Sequence, residues 1–340
     1  MNQTTNQEEI TEQIQKMLHE RGKEALELAR KMVLEEKIES KEVQEALRYF
    51  MIECWHDVTR PALLSLTCEA VGGDPNITTP IAIPMVLISG AIDIHDDVID
   101  QSKNKGLRPT IYGKFGKDIA LLIGDALLFK GFTVLYDAVK KGVSAEKIAE
   151  ITNIINKTFF ELGDAEALEL QFRGRTDVTP EDYLRVVRKK AADVEAYTRI
   201  SAIVGGGSKE EIDALSEYGR LLGMLVILRD EVIDMFDLKE TIHRTKKEHP
   251  SLVIVYALQN PEMNSVLSSL LKKTKTIKAA EKLSIFVDKA GGFTRMEECM
   301  NQLAEEAVIK IEKIKYNKKY LELLIQGMLL PDWRVYLPQR

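Results

Sequence analysis

Cysteine is scarce: Cys54, Cys68 and Cys299 are the only ones in 340 residues. They are odd in number and far apart, which argues against a disulfide framework and against a zinc site built on thiolates. Basic charge is not in excess either. Lys and Arg number 47 against 53 Asp and Glu, a formal charge of −6, so no basic stripe offers itself to nucleic acid. No uninterrupted apolar run approaches the ~18 residues of a membrane span, and stable membrane insertion is not expected. The amino-terminal stretch is polar and acidic, without the charged, apolar and cleavage regions of a signal peptide; the expected location is the cytoplasm. No run alternates for long enough to mark a half-buried strand, no period of ~20–50 residues repeats, and no low-complexity linker divides the chain.

What is present is a helical period. Ile10, Ile14, Met17 and Leu18, then Leu26, Ala29, Met32 and Val33, then Val43, Leu47, Phe50 and Cys54 recur at the spacing of one helix face. Start signals recur with them: Ser40, Ser144, Thr179 before Pro180, and Ser208 with Glu211 as a capping box. Breaks fall at 72–75, 106–116, 142, 174–180, 205–207 and 249–250. With connections of ordinary length this reads as one all-α domain of about ten or more helices, a single large helical bundle over 8–340 with 1–7 as a flexible amino terminus.

The chemistry concentrates where an apolar run beginning near Ile81 ends in Asp93, Asp96, Asp97 and Asp100. On a helix Asp96 and Asp100 share a face, Asp97 lies beside them and Asp93 sits one turn deeper. Anions at a helix carboxyl end are disfavoured by the macrodipole and call for cations. Hard oxygen donors at this spacing suit Mg²⁺ shared with the oxygens of a substrate phosphate; the alternative is a solvated acidic helix end. A second apolar run ends in Asp230, Glu231 and Asp234, with the relative spacing of Asp96, Asp97 and Asp100.

With these two motifs the chain resembles the trans-isoprenyl diphosphate synthase, or polyprenyl synthetase, family over nearly its whole length. Arg60-Pro61, the loop at 72–75, Pro109-Thr110, the run at 124–128 and Lys190 match in order. The resemblance implies the isoprenoid synthase bundle with a central cavity, a homodimer through a helical face, and about three Mg²⁺ per site. It implies an allylic prenyl diphosphate held through Mg²⁺ by Asp96, Asp97, Asp100, Asp230, Glu231 and Asp234, with Asp96, Asp97, Asp230 and Lys190 central to catalysis. Lys105, Arg108, Lys190 and Arg60 are the implied diphosphate contacts. Ile88, Ala91 and Ile92, with Leu87 beside them, are the implied tail pocket. The small Ala91, where a bulky aromatic closes the pocket in short-chain members, implies a preference for C15 or longer substrates.

Departures from the family pattern gather on the second substrate, isopentenyl diphosphate. Asp57 stands at a family lysine, Ser89 at a histidine or glutamine, Gly106 at an arginine, Val226-Ile227 at Phe-Gln, and Asp93 at a common leucine. At an effective dielectric of about 20, turning attraction at ~4 Å into repulsion changes the interaction by several kcal/mol. Each departure has a plainer reading. Asp57 reads as a surface acid with Arg108 substituting, Val226-Ile227 as core, and Asp93 as a partner of Ser89; His56 and His95 read as structural. The expectation is therefore an Mg²⁺-dependent enzyme that ionises an allylic diphosphate and ends in cyclisation, elimination or water capture, as class I terpene synthases do. The alternatives are a chain-elongating prenyltransferase, prenyl transfer to another acceptor, or a non-catalytic subunit paired with an active relative.

Overall fold

The computed structural model describes residues 2–329, with side chains from residue 9; positions 330–340 of the expected domain lie outside the described residues. The helices are α1 (Asn2–Leu34), α2 (Lys41–Tyr49), α3 (Thr59–Ala70), α4 (Thr79–Ile99), α5 (Ile111–Asp137), α6 (Ala145–Leu170), α7 (Pro180–Lys190), α8 (Ala192–Val204), α9 (Lys209–Phe236), α10 (Leu238–Lys247), α11 (Leu252–Leu258), α12 (Asn264–Lys273), α13 (Ile277–Lys289), α14 (Gly292–Lys310) and α15 (Lys318–Met328). The first begins at Asn2, inside the stretch expected to be flexible. Among the described residues the only strands are a two-residue antiparallel pair, β1 (Asn104–Lys105) and β2 (Arg108–Pro109).

The starts are chemical. Ser40, Ser144, Thr179 and Ser208 each accept a hydrogen bond from a first-turn amide, and Glu211 completes the capping box at Ser208, relieving orphan donors of the first turn. At the other end of α4, Asp100 caps the helix and Gln101 turns left-handed at φ 58°. The chain then enters the β1–β2 pair.

α4, α8 and α9 are buried on almost every side over much of their length, and the core is continuous around them. α3 packs on α1 and α8, α6 on α8, and α14 on α9. The closest pairing is α4 with α5, where two glycines remove the spacer a side chain would impose. A Cβ on Gly124 would lie 2.5 Å from His95 Nε2, and one on Gly131 2.5 Å from Ile88 Cγ1. Two segments, Pro75–Ile99 and Ile111–Lys141, are long and apolar enough to cross a membrane, each at mean hydropathy 1.7, more than the sequence reading allowed. The first is a core element, 72% of its apolar window being buried in the bundle.

Candidate active site

α4 presents Ser89, Ile92, Asp93, Asp96 and Ile99 to a cavity of about 360 Å³, the three-and-four spacing of one helix stripe. Phe159, Leu162 and Glu166 of α6, Val194 of α8, and Val226 and Ile227 of α9 form the facing walls, with Lys190 and Arg60 at the polar end. The result is an apolar chamber with acids and cations at its mouth.

The acids of the first motif are held against cations from two other segments, while Lys190 of α7 is taken up by two acids of α6. Lys105 Nζ reaches Asp93 (2.6 Å) and Asp97 (3.2 Å), Arg173 reaches Asp100 (3.2 Å), and Lys190 binds Glu166 (2.9 Å) and Glu169 (2.5 Å). These pairs do not cancel the cost of desolvation. Burial pushes the Asp96 carboxyl up to about 6 against the opposing pull of Lys190. Burial pushes Asp97 up to about 7 despite Lys105, and burial with repulsion from Asp96 takes Asp100 to about 6.

In the second motif Asp230 is raised to about 6, again by burial. Asp234 is raised by burial and accepts from Arg244 at 2.9 Å. Glu248 couples electrostatically to both Asp100 and Asp234, and Lys247 of α10 donates to Gln101 at 3.3 Å. The second motif and the end of the first are thus joined across α10.

Several expected roles change with the geometry. Glu231 was expected among the metal ligands, yet it is only 3% exposed and turned into the core. Its Oε1 accepts from the Tyr183 hydroxyl (2.5 Å) and its Oε2 from the Leu252 amide (2.9 Å). The arm that is one methylene longer than aspartate reaches the start of α11 instead of the site. Arg108, exposed on β2, lines a separate recess of about 630 Å³ together with Lys105 and Asp93. Asp93 pairs with Lys105, while Ser89 is bonded to the Tyr197 hydroxyl.

Arg60 lines the cavity but is gripped by Asp57 and Asp193, each at 2.8 Å. His56 is tied to Arg30 and the Glu53 carbonyl, as a structural histidine would be. Arg173, Arg244, Glu166, Glu169, Tyr183 and His249 were missed. Glu166 and Glu169 lie one turn apart on α6, but that helix also carries Glu146, Glu150, Glu161 and Asp164, so the pair does not stand out in the sequence.

The tail pocket also shifts. Of the three expected residues Ile92 lines the cavity, whereas Ile88 meets Gly131 on α5. Ala91, fully buried like Leu87, does not line the cavity and lies one turn from Ile88, which meets Gly131 of α5. Ala91→Phe is therefore expected to overpack the α4–α5 contact, costing ~1–3 kcal/mol, and to leave the C10-to-C20 substrate ratio unchanged. Phe159→Ala, which opens the cavity wall, shifts that ratio toward C20. Melting curves and paired turnover measurements check both, and a ratio moved by Ala91→Phe would return Ala91 to the pocket.

The donor chemistry fits Mg²⁺. Asp96, Asp100, Asp230 and Asp234 are hard oxygen donors with no thiolate or imidazole among them. Burial raises all four carboxyls, and a divalent cation would offset that desolvation by favouring their charged forms.

A family model described as polyprenyl synthetase matches residues 40–287. The chain belongs to the polyprenyl synthetase family. Among its relatives in that family, the short chain isoprenyl diphosphate synthase of Methanothermobacter thermautotrophicus is 35% identical over 184 residues, 54% of this chain and 55% of that one. The geranylgeranyl diphosphate synthase of Methanosarcina mazei is 32% identical over 206 residues, 60% of this chain and 62% of that one. The matches thus span little more than half the length of these relatives. In fold the chain is similar to geranylgeranyl pyrophosphate synthetase from Pyrococcus horikoshii, with a TM-score of 0.81 at 24% identity over 94% of this chain and 99% of that one. It is also similar to the Caulobacter crescentus polyprenyl synthase complexed with calcium and isoprenyl diphosphate, with a TM-score of 0.75 at 17% identity, covering 92% and 97%. The all-α isoprenoid synthase fold expected from the sequence is the fold observed.

Proposed function

We propose that this chain is a prenyltransferase that elongates an allylic prenyl diphosphate with isopentenyl diphosphate. The observation that carries it is the apolar chamber whose polar end is set by Asp96 and Lys190. The family match and the names of the relatives favour elongation over the terpene-synthase ending expected from the sequence. The allylic C–O bond breaks with its electron pair leaving on diphosphate. The isopentenyl double bond then attacks the cation, and the adjacent carbon gives up a proton to the released diphosphate, leaving a neutral alkene chain. Asp96, Asp100, Asp230 and Asp234 are the residues that would hold Mg²⁺, which when bound would neutralise charge on the leaving diphosphate. Lys190, kept protonated by Glu169, Glu166 and Asp96, stands ready as a direct cation at the same end. Ile92, Phe159 and Ile227 exclude water from the tail.

One observation favours a second reading. Arg60 has both its carboxylate partners within 2.8 Å, which leaves little positive charge free for a second diphosphate and keeps the terpene-synthase ending open. The deciding experiment supplies Mg²⁺ and C15 allylic diphosphate with and without isopentenyl diphosphate. A longer diphosphate formed only with isopentenyl diphosphate supports elongation. A hydrocarbon or alcohol formed without it supports the second reading, and no turnover in either case overturns both in favour of a non-catalytic subunit. A homodimer belongs to the same proposal. Phe129 and Tyr136 of α5 and Phe160 of α6 are 73%, 71% and 76% exposed, an apolar face suited to a second copy, and sedimentation at the mass of one chain would remove it.

A further inference from the structure

Taking the chamber as a site where an allylic diphosphate ionises, we propose that His249 is a positioning residue for diphosphate departure, acting through the Glu169 carboxylate on the Lys190 ammonium. His249 lies between α10 and α11, is 3% exposed and does not line the chamber. Its Nε2 is 2.5 Å from Glu169 Oε1, and the other oxygen of that carboxylate, Oε2, is 2.5 Å from Lys190 Nζ. One carboxylate thus bridges a buried imidazole to the cation at the chamber mouth.

The imidazole is itself held from behind. Its Nδ1 faces the Pro250 carbonyl at 3.0 Å and the Tyr183 oxygen at 3.2 Å. A carbonyl can only accept, and the Tyr183 hydroxyl gives its one proton to Glu231, so the groups bonded to the ring are acceptors and the ring acts on Glu169 as a donor. Tyr183 packs edge-on against the imidazole with centroids 5.2 Å apart, and Phe172 does the same at 6.4 Å. These two aromatics hold the plane of the ring.

Lys190 needs such an anchor. A lysine is a point charge on a flexible four-carbon stem, and Lys190 is the last residue of α7, so its helix does not fix where the ammonium sits. Two acids of α6 do, Glu166 at 2.9 Å and Glu169, and they differ in firmness. Burial raises the Glu166 carboxyl despite Lys190. In Glu169 burial is outweighed by the His249 hydrogen bond and by Lys190, which together hold the carboxyl well below the usual carboxylate range. Both Glu169 oxygens are engaged, which fixes the plane of the carboxylate and with it the ammonium. A displacement of ~1 Å in a group that must meet developing charge can cost about a hundredfold in rate.

The test is a double-mutant cycle on the full chain, read as diphosphate release from a C15 allylic diphosphate with Mg²⁺. His249→Ala is expected to lower kcat at least about tenfold when Lys190 is present, and by less than about twofold once Lys190 is alanine, because a residue acting only through Lys190 then has nothing to act on. His249→Gln, whose amide N–H can donate to Glu169, should recover most of the loss. A residue that merely packs would slow both backgrounds by the same factor. Glu169→Gln, which keeps the shape and removes the charge, is expected to give the same cycle and serves as an independent arm if His249→Ala folds poorly. The same variants are titrated calorimetrically with inorganic diphosphate in Mg²⁺ buffer, a readout that needs no turnover, and His249→Ala should weaken binding only where Lys190 is present. No loss, equal losses in both backgrounds, or a His249→Gln variant no better than His249→Ala overturns the proposal. A wild type that releases no diphosphate but keeps the coupling in the titration overturns the reaction and supports the positioning role.

Discussion

Asp96→Ala is expected to lower allylic diphosphate turnover by about 10³-fold, the scale seen when a preorganised charge-stabilising group is removed, while the helical fold persists. The stability half of that expectation follows from the direction of the shift. Burial holds the Asp96 carboxyl near 6, above its ordinary value, so the folded state binds its proton more tightly than the unfolded state. At pH 7.5 the group is charged in both states, and its charge costs folding stability. Removing it should leave the metal-free melting temperature unchanged or raised. Circular dichroism melts alongside diphosphate release check the two halves, and release at the wild-type rate would sink the clamp.

Glu231→Ala is expected to do the reverse. It strips the acceptor from the Leu252 amide, leaves the Tyr183 hydroxyl with His249 alone, and takes a carboxylate from beside Arg244, whose Nη2 lies 3.6 Å away. Breaking a buried charged network from one side costs ~3–5 kcal/mol, so chemical denaturation should show a loss of that order. Were Glu231 a metal ligand as its place in the motif suggests, the variant would instead resemble Asp96→Ala, stable and inactive. Measuring both quantities on both variants distinguishes an acid that serves the substrate from one that serves the fold.

The difference between these two acids marks how far sequence could reach. Helix starts at Ser40, Ser144, Thr179 and Ser208 were legible because a cap is decided by a few adjacent residues. The two acidic motifs were legible because their spacing is itself a helical pattern. The direction of Glu231 was not, since it depends on Tyr183 and Leu252, 48 and 21 residues away in sequence. The tail pocket failed for a related reason. A helix apolar on all sides, as α4 is from Ile81 to Ala91, carries no amphipathic stripe to say which face looks inward. Only its neighbours reveal that Ser89 and Ile92 face the chamber while Ile88 faces α5. Arg244 and Arg173 escaped because an ion pair between distant elements leaves no local pattern.

The glycine contacts between α4 and α5 bear on how such a chamber can change over evolutionary time. With Gly124 against His95 and Gly131 against Ile88, any enlargement on either side of that seam needs a matching reduction on the other, so two mutations must arrive together. The opposite wall, Phe159 and Ile227, meets open space in the chamber, where a single change of side-chain size is absorbed. Lineages descended from this scaffold therefore have a ratchet on one side and a dial on the other, and drift in the length of the molecule they accommodate should be written almost entirely in α6 and α9.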